Sequence, residues 1–211
     1  MKFENNVENG TITFRGGVGD FEGSISADAF RDALNAHSGD VTIHLDSAGG
    51  SVTDGLSIHN AILAYEGTVN VHIDTLCASI ATVIACAASG KVSMNSNGKY
   101  MIHRAWTAAM GNCRDFRSMA DIMEMMDKDI AETYASRAGG DLEGWLALMD
   151  KETWFDAEKA LEAGLIDEIV DVRAKKVKAE AELPEIKAVL TPNMINAKIQ
   201  AILLRNNQKL S

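Results

Sequence analysis

Between residues 41 and 89 the chain repeats one order of residue types: a β-branched run, a small-residue turn, then a stretch with helical spacing. Val41-Thr42-Ile43-His44-Leu45 gives way to Gly49-Gly50 and then to residues 53–65. Residues 69–73 give way to the apolar stretch 79–89. Parallel neighbours in a sheet need a long crossover, usually a helix, so this order predicts parallel βαβ units. The pattern extends in both directions. Residues 11–14 alternate as a strand, and Ser26 can cap a helix to about His37 with Ala29, Phe30, Ala33 and Leu34 on one side. Residues 92–94 and 100–102 read as short strands. A long helix is expected over 115–137, with Phe116, Met119, Met123, Met126 and Ile130 on one stripe and Gly139 as its stop. Helices near 142–149 and 156–163, the second ended by Gly164, and a last strand within 165–172 complete the unit.

A chain of 211 residues, 46% hydrophobic, can fill one sizeable core and carry an appendage. The net charge of −10 repels phosphate backbones and argues against nucleic acid as a partner. The longest apolar stretch, 75–89, is too short to span a bilayer, and Met1-Lys2-Phe3-Glu4 opens no apolar signal region. A soluble, cytoplasmic protein with no membrane association is the expectation. Cys77, Cys86 and Cys113 are odd in number, and two lie in an Ala-rich run, which reads as buried free thiols in a reducing compartment. With no CxxC or HxxxH spacing, neither a metal nor another cofactor is expected. Both prolines, Pro184 and Pro192, fall late, and the text turns charged and Ala-rich near Arg173. This divides the chain into a domain over 1–172 and a C-terminal extension over 173–211. The extension reads as a linker plus a short helix bearing Met194, Ile195, Ile199, Ile202 and Leu203.

Chemistry-bearing residues collect where strands hand over to helices. In Asp46-Ser47-Ala48-Gly49-Gly50-Ser51-Val52 two glycines follow a strand and precede a helix. Glycines permit positive φ and a close approach to the main chain, and N–H groups at a helix entry lack intrahelical partners. Such groups can donate to a developing oxyanion. In Thr75-Leu76-Cys77-Ala78-Ser79-Ile80-Ala81 a serine stands at a second helix entry. The plain reading of Ser79 is an N-cap; the chemical one is a nucleophile with the Ile80 N–H beside it. A serine nucleophile needs a base, and the imidazole in Met101-Ile102-His103-Arg104 suits that task. His37, His44, His59 and His72 read as structural or exposed. Members of a triad need only meet in space, so the interval of 24 positions (103 − 79) is no obstacle.

In these blocks the chain resembles the ClpP-type serine peptidases, within the wider ClpP/crotonase fold. Ser47-Ala48-Gly49-Gly50-Ser51-Val52 is similar to the family's glycine turn and Ala78-Ser79-Ile80 to its nucleophile segment. Met101-Ile102-His103 is similar to its histidine block and residues 158–167 to its closing block. The resemblance covers about residues 10 to 172. It implies an α/β fold of repeated βαβ units with a protruding strand–helix handle, whose strand would be residues 105–113. It implies a serine endopeptidase acting on polypeptide substrates, with Ser79 as nucleophile, His103 as base, and Gly50 and Ile80 as the oxyanion donors. Counting back from the closing block puts Glu152 in the place of the family's acid, with Asp150 as the alternative. It also implies a homo-oligomer of stacked rings, heptameric in the family.

Departures sharpen the resemblance. Ala48 replaces a proline, Leu76-Cys77 a glycine, and Arg104-Ala105 a Gln-Pro pair. With Glu152 and Trp154-Phe155, they resemble the ClpP-like head-maturation proteases encoded by phages and prophages. Those imply capsid or scaffold proteins as partners. The short stretch before residue 11 leaves docking of an unfoldase ATPase open. Two other readings stand beside the peptidase: a crotonase-like acyl-CoA enzyme, and a catalytically inactive assembly subunit.

Overall fold

The computed structural model describes residues 2–172. Its strands are β1 (Lys2–Asn6), β2 (Thr11–Arg15), β3 (Gly17–Val18), β4 (Ser24–Ile25), β5 (Val41–Ser47), β6 (Val69–Ala78), β7 (Val92–Asn95), β8 (Lys99–Ile102), β9 (Thr153–Phe155) and β10 (Glu168–Val170). Its helices are α1 (Ala27–Asn35), α2 (Val52–Leu63), α3 (Ile80–Cys86), α4 (Cys113–Ala138), α5 (Leu142–Asp150) and α6 (Ala157–Glu162). The expected extension over 173–211, with its helix, lies outside the described residues.

The main sheet runs β1-β2-β5-β6-β7-β10, with β8 on the far half of β6 and β9 beyond it. Strands β2, β5, β6, β7 and β10 are parallel, and β1 and β9 are antiparallel edges. The α/β fold of βαβ units is therefore as expected. Val41, Ile43 and Leu45 of β5 and Val69, Val71 and Ile73 of β6 are all at most 1% exposed and pack into one core with Ile58, Ile62, Val83 and Ile84. Their neighbours on the same strands are polar and half-buried: Thr42, His44, Asp46, Asn70, His72 and Asp74. Parallel sheets usually have both faces covered by apolar packing. Here the second face carries ionisable groups instead.

Several expectations are corrected. The edge strands β1 and β9 and the small β3–β4 pair were not anticipated; β9 pairs with a partner remote in sequence, and β1, β3 and β4 are short or polar segments without a clear alternating pattern. Strand β6 runs on to Ala78, so the following helix opens at Ile80 rather than at Ser79. The segment expected as a handle strand forms none: residues 106–112 are exposed and no strand pairs with them. Helix α4 starts at Cys113, where Asn112 and Asp115 form a reciprocal capping box. Its methionine stripe is not core. Phe116 is exposed, Met119, Met123 and Met126 are half-buried, and of the stripe only Ile130 joins the core, the helix becoming buried from Asp127 to Tyr134. Cys77 is buried as expected, but Cys113 is exposed; all three thiols are free. Among the described residues no helix is long and apolar enough to cross a membrane.

Candidate active site

Two turns, leaving neighbouring strands, build the site. After β5, Gly49 and Gly50 take φ of +90° and +149°. Strand β3 clamps this turn: Val18 N–H donates to Gly49 O at 2.9 Å and Ser51 N–H to Val18 O at 2.8 Å. No side chain would fit. A Cβ on Gly50 would lie 2.2 Å from Val18 O, and one on Gly49 would lie 2.6 Å from the Cβ of Ser79. The glycine pair thus brings the first turn into direct contact with the second.

The second turn follows β6. Ser79 has φ 57° and ψ −133°, a region that side-chain-bearing residues rarely occupy and that costs of order 1–3 kcal/mol. The surroundings enforce it. Its N–H donates to Met101 O at 2.9 Å, and its carbonyl accepts from Thr82 N–H at 3.0 Å and Thr82 Oγ1 at 2.5 Å. Since that hydroxyl proton is spent on Ser79, Tyr134 donates to Thr82 Oγ1 across 2.6 Å and ties the turn to α4. Burial pushes the Tyr134 hydroxyl far above its ordinary range, so it stays a donor. The hydroxyl of Ser79 makes no capping bond to α3. The N-cap reading therefore fails, although the residue stands at the cap position.

That hydroxyl instead lies 2.8 Å from Nε2 of His103. The cause is strand register. Strand β8 pairs in parallel with the end of β6 through Leu76↔Lys99, Cys77↔Tyr100 and Ala78↔Met101. Ser79 directly follows β6 and His103 directly follows β8, so the pairing brings both to the same end of the sheet while the intervening residues are looped out as α3 and β7.

Among the described residues, the N–H groups of Gly50 and Ile80 donate to no protein acceptor. Both belong to the turns that carry Ser79. Gly55 is the support behind Ile80: a Cβ there would lie 2.1 Å from Ile80 Cγ1, so α2 and α3 can touch only through a glycine. Beside Ser79 and His103 opens a cleft of about 310 Å³, edged by Gly50, Val52, Met101, Ala105 and Trp106. Larger hollows lie between α1 and α2 and between α3 and α4, away from the serine.

The two acid candidates part company. Asp150 is held by Arg104, whose Nε and second terminal nitrogen reach its two oxygens at 2.8 and 3.2 Å. The hydrogen bond from Arg104 holds the Asp150 carboxyl below its ordinary value. The same guanidinium reaches Asp127 at 3.2 Å, and Asp127 also accepts from Ala105 N–H at 2.8 Å. This clamp fixes α4 and α5 to the residues just after His103. Sequence reading missed Asp127, a carboxylate only 6% exposed; the arginine beside the histidine was the available signal. Glu152 accepts from Trp154 Nε1 at 3.2 Å and makes no hydrogen bond or ion pair to His103. Its backbone is another matter. Antiparallel pairing ends at Ile102↔Thr153, and His103 and Glu152 are the next residues beyond it on the two strands. Glu152 holds φ of +47° at this corner.

One group of side chains among the described residues could hold a metal: His44, His72 and Asp74, on the polar face of β5 and β6. They lie apart from the Ser79 cleft and were not expected from the spacing of the sequence.

The chain is similar to known proteins. A family model described as Clp protease matches residues 25–173. The ATP-dependent Clp protease proteolytic subunit 2 of Thermobifida fusca is 30% identical over 132 residues, 62% of this chain and 65% of the relative. The ATP-dependent Clp protease proteolytic subunit of Bacteroides fragilis is 30% identical over 132 residues, 62% of this chain and 64% of the relative. Subunit 2 of Parasynechococcus marenigrum is 30% identical over 135 residues, covering 64% and 68%. The chain thus spans just under two thirds of the length of the first two.

Proposed function

Because the chain belongs to the Clp protease family, we propose that it is a serine endopeptidase that cleaves polypeptides at Ser79. The observation that carries this is the 2.8 Å contact between His103 Nε2 and a serine hydroxyl that caps no helix. In the proposed cycle Ser79 Oγ attacks the scissile carbonyl carbon as Nε2 takes its proton. The carbonyl oxygen becomes an oxyanion and accepts from the N–H groups of Gly50 and Ile80. One such donor contributes about 3–4 kcal/mol to a transition state. His103 then passes its proton to the departing amine, and water, activated by the same imidazole, releases the acyl group.

Glu152 is the proposed third member. The β8–β9 register supports it, and a side-chain rotation away from Trp154 would bring its carboxylate toward Nδ1 of the imidazole. Catalytic hydrogen bonds often tighten only when substrate is bound. Asp150 is disfavoured, since Arg104 already occupies both its oxygens.

The assembly proposed is a homo-oligomer of stacked rings enclosing the clefts, with the exposed half of α4 as the contact between rings. Head maturation in a phage or prophage, with capsid or scaffold proteins as substrates, is the specific role we favour. The substitutions at Ala48, Leu76-Cys77 and Arg104-Ala105 support it. In that role residues 1–172 act as the peptidase in the cytoplasm and residues 173–211 as an extension. The inactive-subunit reading has one observation in its favour, the engagement of Glu152 by Trp154. Hydrolysis of an unfolded protein such as casein separates the two. The full chain should cleave it and Ser79→Ala should not; intact substrate with both proteins would establish the inactive subunit.

A further inference from the structure

We propose that His44, His72 and Asp74 form a binding site for a divalent cation of the zinc class on the polar face of the sheet. His44 and His72 are register partners on adjacent parallel strands, and Asp74 follows His72 on the same face. Sheet pairing, not spacing along the chain, brings the three together. His44 Nδ1 lies 3.5 Å and His72 Nε2 3.6 Å from the same oxygen, Asp74 Oδ1. All three donor atoms lie within 4.8 Å of one another. Ligands about 2.0–2.1 Å from a tetrahedral zinc stand about 3.3 Å apart. Two edges of that tetrahedron are therefore nearly in place, and the third needs a small closing of the two rings.

The polar neighbours favour a cation between these atoms. Ser93 Oγ donates to Val71 O at 3.4 Å, since a carbonyl cannot donate. The same hydroxyl lies 2.8 Å from His72 Nδ1 and holds that ring in place. The other carboxylate oxygen, Oδ2, is held by Arg15 at 2.6 Å, while Oδ1 faces both rings and lies within hydrogen-bond reach of His44 Nδ1 at 3.5 Å. This is the usual outer-shell arrangement of metal sites, with a hydrogen bond on the far ring nitrogen and another on the ligating carboxylate. Two imidazoles and a carboxylate with an open fourth position suit Zn²⁺, Co²⁺ or Ni²⁺ rather than Mg²⁺ or Ca²⁺.

Such an ion would tie β5 to β6. Asp74 precedes Ser79 on the same strand and turn, and His44 precedes the Gly49-Gly50 turn on the other. The site would thus brace the two strands that deliver the proposed oxyanion donors, without touching substrate.

The test is calorimetric titration of the full chain with Zn²⁺ alone, with Co²⁺ absorption as a second readout. Binding of one equivalent that survives His103→Ala is expected, because the proposed peptidase site plays no part in it. Affinity should fall about 10- to 100-fold in Ser93→Ala, which removes the hydrogen bond that orients His72. It should be lost in His44→Gln with His72→Gln. Circular dichroism of the apo proteins checks that each variant is folded, and a Zn²⁺-dependent rise in Tm should vanish with the double variant. Absence of Zn²⁺ binding by the unaltered chain would overturn the proposal. So would undiminished binding by the folded double variant.

Discussion

The surroundings of Ser79 and the arm formed by residues 105–126, which meets the cleft through Ala105 and Trp106, are built on opposite rules. Around Ser79 each constraint is met within the chain. Gly49 touches the serine, Thr82 holds its carbonyl, Met101 accepts its N–H and His103 its hydroxyl. Along the arm, Trp106 is 76% exposed and Met110 99%, and Phe116, Ile122 and Met125 project from a helix that meets the core only further on. Large apolar groups exposed together on one arm are the mark of a surface awaiting a partner. The difference teaches that Ser79, His103 and the two turns are set by contacts within the chain, whereas the arm leaves its apolar side chains exposed.

The sharpest way to test the self-contained side is Glu152→Gln. If the glutamate orients the imidazole, kcat should fall by about 10²–10⁴ with Tm nearly unchanged. Equal turnover in variant and parent would remove it from the mechanism. Next in size is Gly49→Ala. A methyl 2.6 Å from Ser79 Cβ, on a backbone at φ +90°, must displace the turn. Displacement of that order should cost about 10²-fold in kcat/KM, read with a short peptide ester; full activity would mean that the two turns move independently.

Asp150→Asn should act on stability rather than chemistry. The hydrogen bond from Arg104 depresses the Asp150 carboxyl, so its contribution is complete above the ordinary aspartate value near 4. It is lost as pH falls through the lower folded value. The Tm gap between parent and variant should therefore be widest near neutrality and close in acid. A gap independent of pH would show that the clamp works by packing. The smallest expected effect on the folded chain belongs to the arm. Phe116→Glu with Met125→Glu should leave its stability within about 0.5 kcal/mol while abolishing self-association in sedimentation. A large loss of stability without change of mass would mean that these side chains serve the chain itself.

Much of this was legible in the sequence, where local rules decide. The βαβ order, the two glycines and the serine at a helix entry follow from residue types in succession. Ser26 caps its helix as its position suggests. What failed was decided by remote partners. Strand β9 exists because residues 153–155 pair with 100–102. Residues 105–113 were expected as a strand from the family resemblance, but a strand needs a ladder, and among the described residues none is offered. The stripe of Met119, Met123 and Met126 reads as core by spacing; only the fold reveals that little packs above it. The convergence of His44, His72 and Asp74 was hidden for the same reason. Alternation placed the two histidines on strands, but which strands are neighbours is a property of topology.

The central claim is that the hydroxyl of Ser79 is activated by His103 in the folded chain. A fluorophosphonate probe followed by intact-mass and peptide mapping tests it most directly. The account predicts one adduct per chain, on Ser79, and none in His103→Ala. No adduct on the folded parent, or equally rapid labelling of Ser79 without the imidazole, would contradict it.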